Sequence, residues 1–75
     1  MSQILLNTRG AVLDDETGKT FTAGDMLSYI KYKNNENSLN TFYDVVVKCI
    51  NYKYVHINTN KDFKRIRIDD IISWN

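Results

Sequence analysis

Between Thr41 and Ile68 the chain carries three successive segments in which apolar and polar residues alternate, separated by short polar breaks. Successive side chains of a strand point to opposite faces of a sheet, so a period of two marks a strand with one buried face. Three such strands in a row, joined by connections of two and three residues, make an antiparallel meander. In Thr41 to Ile50 the phase puts Tyr43, Val45, Val47 and Cys49 on one face and Phe42, Asp44, Val46, Lys48 and Ile50 on the other. In Tyr52 to Asn58 it puts Val55 and Ile57 against Tyr52, Tyr54, His56 and Asn58, and in Phe63 to Ile68 it puts Ile66 and Ile68 against Phe63, Arg65 and Arg67. Val45, Val47, Val55, Ile57, Ile66 and Ile68 are therefore the expected core.

Facing residues of neighbouring strands share a side of the sheet, which suggests a register. A two-residue loop at Lys61-Asp62 sets Ile57 opposite Ile66 and His56 opposite Arg67. A three-residue loop, Asn51 to Lys53, sets Val47 opposite Ile57 and Lys48 opposite His56. The outer face then carries a row of Lys48, His56 and Arg67.

The remaining segments read less evenly. Gln3 to Asn7 is a short apolar strand ended by Arg9-Gly10, with Ala11 to Leu13 pairing back onto it. Asp14 to Lys19 is a polar loop; its three acids lack the alternating ligands and closing glutamate of an EF-hand, and it reads as solvated. Residues 21–33 admit two readings. Thr22 and Asp25 could open a helix with Met26, Leu27 and Ile30 on one face, giving an α+β fold with a helix at about 23–33 packed on the C-terminal sheet. Gly24, the two tyrosines and the end of the apolar stripe at Lys33 favour a strand from Met26 to Lys33, with Met26, Ile30 and Tyr32 on one side. Asn34 to Asn40 is rich in turn formers and is a loop.

Seventy-five residues make one small domain without room for a deep catalytic cleft. The single cysteine, Cys49, cannot form an internal disulfide, and no Cys/His cluster has zinc-site spacing, so apolar packing must supply the stability. A free thiol and the lack of a signal-like N-terminus point to the cytoplasm, and no apolar run approaches the roughly 20 residues of a membrane span. The net charge of +1 hides a gradient. Asp14, Asp15, Glu16 and Asp25 outnumber the two cations of residues 1–30, whereas residues 31–67 carry eight basic groups against Glu36, Asp44 and Asp62. The absence of proline and the abundance of Asn, Lys and Ile fit an AT-rich bacterial or phage genome.

Phe21 to Tyr29 (FTAGDMLSY) resembles the opening of SH3-like small barrels: an aromatic, then Gly-Asp, then an apolar strand. Arg65 to Trp74 (RIRIDDIISW) is similar to their close, a strand, a short turn begun by aspartates and a last apolar strand, and Sm-like barrels, including bacterial Rho-binding antiterminators, share a similar final phrase. The resemblance spans residues 21–75 and implies a mainly β chain, a small barrel preceded by an N-terminal β-hairpin. The chain lacks the aromatic pair and acidic loop of a proline-rich-peptide groove and the signature of ring-forming RNA-binding members. Function on such folds varies widely, so the site must be argued from residues.

His56 is the only histidine and has no nucleophile and orienting group in a motif around it, so no catalytic residue, cofactor or metal is expected. The candidate binding constellation is Lys48, Tyr52, Tyr54, His56, Arg65 and Arg67. Aromatic faces among guanidinium and ammonium groups can stack bases and neutralise phosphates. Tyr and Arg equally mark protein interfaces. Trp74 is expected to lid the core, and Asp69 and Asp70 to begin a turn. Phe42, Val46 and Ile50 are expected as an apolar row on the outer face, covered by another part of the chain or by a partner. The leading expectation is a non-enzymatic regulatory module that binds a larger host protein. The alternatives are a nucleic-acid-binding barrel and a structural homo-oligomer.

Overall fold

The N-terminal hairpin closes on one side chain. Asn7 Oδ1 accepts from the backbone N–H groups of Arg9 and Ala11, and Gly10 supplies the φ of +79° that the turn requires. β1 (Ile4–Leu6) thereby pairs antiparallel with β2 (Val12–Asp14), Leu5 facing Leu13. The acidic loop is a turn built on Asp14, whose backbone carbonyl accepts from Gly18 N–H and whose Oδ1 accepts from Glu16 N–H. β3 (Thr20–Phe21) then completes a three-stranded sheet. The structure is a computed structural model and describes residues 3–75.

The second sheet contains β4 (Met26–Lys33), β5 (Leu39–Ile50), β6 (Tyr54–Asn58), β7 (Phe63–Arg67) and β8 (Ile71–Trp74), in the order β7-β6-β5-β4-β8. The chain is thus mainly β, in two antiparallel sheets, but the expected barrel does not close: among the described residues the larger sheet stays open, with β7 and β8 as its unpaired ends. The helix at about 23–33 does not form. Asp25 Oδ2 accepts from Thr22 N–H, but Gly24 at φ +95° turns the chain between them, and Met26 to Lys33 is then paired by β5 on one side and in part by β8 on the other. Tyr29, Ile30 and Tyr32 suit that pleated, two-sided environment. A 3₁₀ turn, Ile68–Asp70, leads into β8. It is held by the bond from Ile71 N–H to the Ile68 carbonyl, with no side-chain cap from either aspartate. No helix among the described residues is long and apolar enough to cross a membrane.

One core joins the two sheets. Val12 and Phe21 from the small sheet pack with Leu27, Ile30, Ile71, Trp74 and all six residues expected from the alternation, Val45, Val47, Val55, Ile57, Ile66 and Ile68. Trp74 is 4% exposed and sits inside this core, as expected of a lid.

Two irregularities break the simple period of two. Ser28 and Tyr29 both donate to the Asn75 carbonyl, the signature of a bulge. Asp44, one residue beyond the Tyr29–Tyr43 pair, has φ 54° in the left-handed region. Both long strands turn over at this level, so Leu27 and Ile30 are buried while Met26 is exposed. Likewise Val45 is buried while Tyr43 is exposed, and Phe42 packs against the core, where Tyr32 stacks on it with ring centroids 5.6 Å apart. The β4–β8 register shifts between Lys31 and Tyr32, and a second register shift, in β5 between Val47 and Cys49, turns Cys49 outward and Ile50 inward. The expected outer row of Phe42, Val46 and Ile50 therefore does not exist. Phe42 and Ile50 pack on the core and only Val46 keeps the outward phase.

Candidate functional site

Val55, Ile57 and Ile66 are buried, which leaves Tyr54, His56, Arg65 and Arg67 on the outer face of β6 and β7. The ladder sets Tyr54 opposite Arg67 and His56 opposite Arg65, two residues away from the expected pairing of His56 with Arg67. The cause is the loop. Thr59 to Asp62 forms a four-residue connection in which Thr59 N–H donates to the Asp62 carbonyl at 2.8 Å and Thr59 Oγ1 accepts from the N–H groups of Lys61 and Asp62. A two-residue turn needs positive φ, and Lys61-Asp62 lacks the Asn-Gly chemistry that supplies it. Because the shift is even, every side chain keeps its expected face.

Within this face the Arg65 guanidinium lies over the Tyr54 ring, 4.4 Å from its centroid, and the His56 ring lies 5.4 Å from that of Phe63. Arg67 makes only a long, exposed ion pair with Asp69, at 3.7 Å, and Lys64 makes a similar one with Asp62. Such pairs are weak, and both cations stay open to other anions.

Two of the six residues lie elsewhere. Lys48 is displaced by the second register shift, so Cys49 occupies the position opposite His56, and Lys48 is exposed beside it. This makes Cys49 a neighbour of His56 on the outer face, where the simple alternation put it inward. No hydrogen bond links thiol and imidazole among the described residues, and nucleophilic work would need that bond and a third group to orient it. Tyr52 belongs to the loop between β5 and β6, held by Asn51 Oδ1 accepting from the N–H groups of Lys53 and Tyr54. It is exposed, with Lys53 Nζ 5.5 Å from its ring centroid, and borders a cleft of about 420 Å³ shared with β1 and Arg67.

The structure adds residues that the sequence reading did not group. Met26 pairs with Val46, Val46 with Asn58, and Asn58 with Phe63, one row crossing the outer face of four strands. Met26 is 75% and Phe63 58% exposed. The alternation of β4, read without its bulge, puts Met26 on the same side as Ile30, whereas in the structure Ile30 is buried and Met26 is not. A groove of about 370 Å³ lies between β7 and the end of β4, lined by Tyr32, Lys33, Asn34, Asn35, Tyr54, Arg65, Ile66, Arg67 and Asp70. Tyr32 is one of its walls, and burial raises its hydroxyl above the ordinary phenol pKa.

The outer face thus joins a row that is apolar but for Asn58 to an aromatic and cationic one, beside a groove that carries three further cationic or amide side chains at the mouth of the β4–β5 loop. No protein-family model, curated protein or solved structure matches the chain.

Proposed function

We infer that this chain is a non-enzymatic interaction module, a small bacterial or phage regulatory protein of the cytoplasm that docks on a larger host protein through the outer face of β5, β6 and β7. The observation that carries this reading is the outer-face row of Met26, Val46, Asn58 and Phe63, in which Met26 and Phe63 are exposed and Val46 and Asn58 half-buried, next to Arg65 and Arg67. Apolar side chains aligned on a sheet gain about 25 cal/mol for each Å² they withdraw from water, and adjoining arginines supply the anchoring contacts common at protein interfaces. The free, exposed thiol of Cys49 fits a reducing compartment. The strand order of the larger sheet and the 3₁₀ turn before its last strand support the resemblance of residues 21–75 to SH3-like and Sm-like folds, on which binding functions are common.

Nucleic acid is the second reading, favoured by the cluster of Lys48, Arg65 and Arg67. Against it, Arg65 covers one face of Tyr54 and so removes a surface on which a base would stack. Titration with labelled single- and double-stranded oligonucleotides at low and moderate salt separates the two. The protein-binding reading expects only weak, salt-sensitive binding, with each alanine at Lys48, Arg65 or Arg67 flattening the slope of log affinity on log salt by about 0.7 to 0.9. Micromolar or tighter binding at moderate salt, lost when Arg65 and Arg67 are replaced, would put nucleic acid in place of the protein partner.

A further inference from the structure

Two backbone hydrogen bonds determine which way β7 turns its amides. Thr59 N–H donates to the Asp62 carbonyl at one end of the β6–β7 ladder, and Ile68 N–H donates to the Lys53 carbonyl at the other. In an antiparallel ladder hydrogen-bonded pairs alternate with non-bonded pairs, and both anchors give the same phase. Ile57–Lys64 and Val55–Ile66 are the bonded pairs, so Lys64 and Ile66 direct their backbone groups to β6. Phe63, Arg65 and Arg67 direct theirs to the other side, where the sheet order places no strand.

The space on that side is formed. The 370 Å³ groove touches Arg65, Ile66 and Arg67 in succession. Consecutive strand residues point to opposite faces, so a hollow that touches all three reaches the strand's edge, and through Tyr54 it continues onto the outer face. Its other walls are the end of β4, with Tyr32 and Lys33, the loop residues Asn34 and Asn35, and Asp70, so the cations Lys33, Arg65 and Arg67 outnumber its one acid.

We propose that this edge takes an extended acidic segment of a partner protein as a sixth strand, seated in the groove between β7 and Tyr32–Asn35. The proposal rests on the protein-binding reading and specifies its partner. Side chains directly opposite in an antiparallel pair meet on one face, so a segment running against β7 sets successive outward residues against Arg67, Arg65 and Phe63. The complementary pattern is acid, any residue, acid, any residue, apolar. The same geometry disfavours β7 of a second copy paired about Arg65. Pairing two β7 strands about Arg65 would set that arginine against itself and Phe63 against Arg67, and like charges directly opposite are destabilising.

The test uses the full chain and a capped peptide containing Glu-Val-Glu-Val-Phe, followed by fluorescence polarisation and amide hydrogen exchange. The expected result is binding that slows exchange at Phe63, Arg65 and Arg67 by about tenfold or more, leaves Lys64 and Ile66 unchanged, and weakens by at least about tenfold in Arg65→Glu or Arg67→Glu. N-methylation of the two glutamates, whose amides face β7, should abolish binding, whereas N-methylation of the two valines, whose amides face away, should not. Absence of binding at millimolar peptide overturns the proposal. So does binding with unchanged exchange at the three edge amides, an outcome that leaves docking on the Met26–Phe63 face standing. Slowing of the same amides by increasing protein concentration alone, or by an oligonucleotide, overturns it in favour of a second copy or of nucleic acid.

Discussion

The ring of Phe21 meets the indole of Trp74 edge-on, with centroids 4.9 Å apart and planes at 83°. This contact ties the small N-terminal sheet to the last strand of the larger one, and both residues are almost fully buried. Aromatic pairs in this geometry contribute about 0.5–1.5 kcal/mol beyond the area they bury. Phe21→Ala should therefore destabilise the chain by about 3–5 kcal/mol, a large share of a small domain's stability. Denaturant unfolding followed by fluorescence checks this, since Trp74 is the sole tryptophan and its emission should shift to the red as the core opens.

Arg65 over Tyr54 is an exposed cation–π pair, worth about 0.5–1 kcal/mol. A double-mutant cycle with Tyr54→Leu and Arg65→Met should return a coupling of that size in unfolding free energy. Zero coupling would mean that the guanidinium does not rest on the ring in solution, and Tyr54 would again be open for stacking.

Asp44 holds a left-handed conformation in the middle of β5. A β-branched residue is strained there, by about 1–2 kcal/mol, whereas glycine is not. Asp44→Val should lower stability by roughly that amount, and Asp44→Gly should leave it unchanged or slightly raised. If valine were tolerated, β5 would not turn over at this residue, and Phe42 would return to the outer face.

The contrast between these residues shows what the sequence carries. Three alternating runs reveal three strands and the six residues of the core, because burial of one face of a sheet demands a period of two. The N-terminal hairpin is announced by Arg9-Gly10, and Met26 to Lys33 by its β-favouring side chains. The bulges at Ser28–Tyr29 and Val47–Cys49 leave no such mark, because an extra residue shifts the phase without changing composition. Ile50 and Cys49 are misplaced for that reason, the first bulge parts Met26 from Ile30, and Phe42 turns inward at the left-handed Asp44. Of the candidate site, Tyr54, His56, Arg65 and Arg67 share the predicted face. The register error at Lys61-Asp62 was even and so changed their partners but not their side of the sheet. The groove beside β7 was not legible, since Lys33 and Asn35 reach it only through the packing of distant segments.

Docking through the Met26–Phe63 row predicts that a charge placed there weakens association while the monomer stays folded. Val46→Glu should act in this way, because Val46 alone of Phe42, Val46 and Ile50 keeps the outward phase. Phe42→Glu should instead destabilise the fold, because Phe42 is partly buried against the core and stacked on Tyr32, where a carboxylate has no partner. Circular dichroism with sedimentation velocity separates loss of folding from loss of association.

The central claim is that the outer face of β5 to β7 recognises a protein, and affinity capture from nuclease-treated host lysate tests it most directly. Wild-type chain, Phe63→Glu, Arg65→Glu and a control Glu36→Gln in the β4–β5 loop are compared by quantitative mass spectrometry. The account predicts one host protein retained after nuclease by the wild type and the control and lost by both face variants. The same proteins captured by all four chains, or capture that disappears with nuclease, would contradict it.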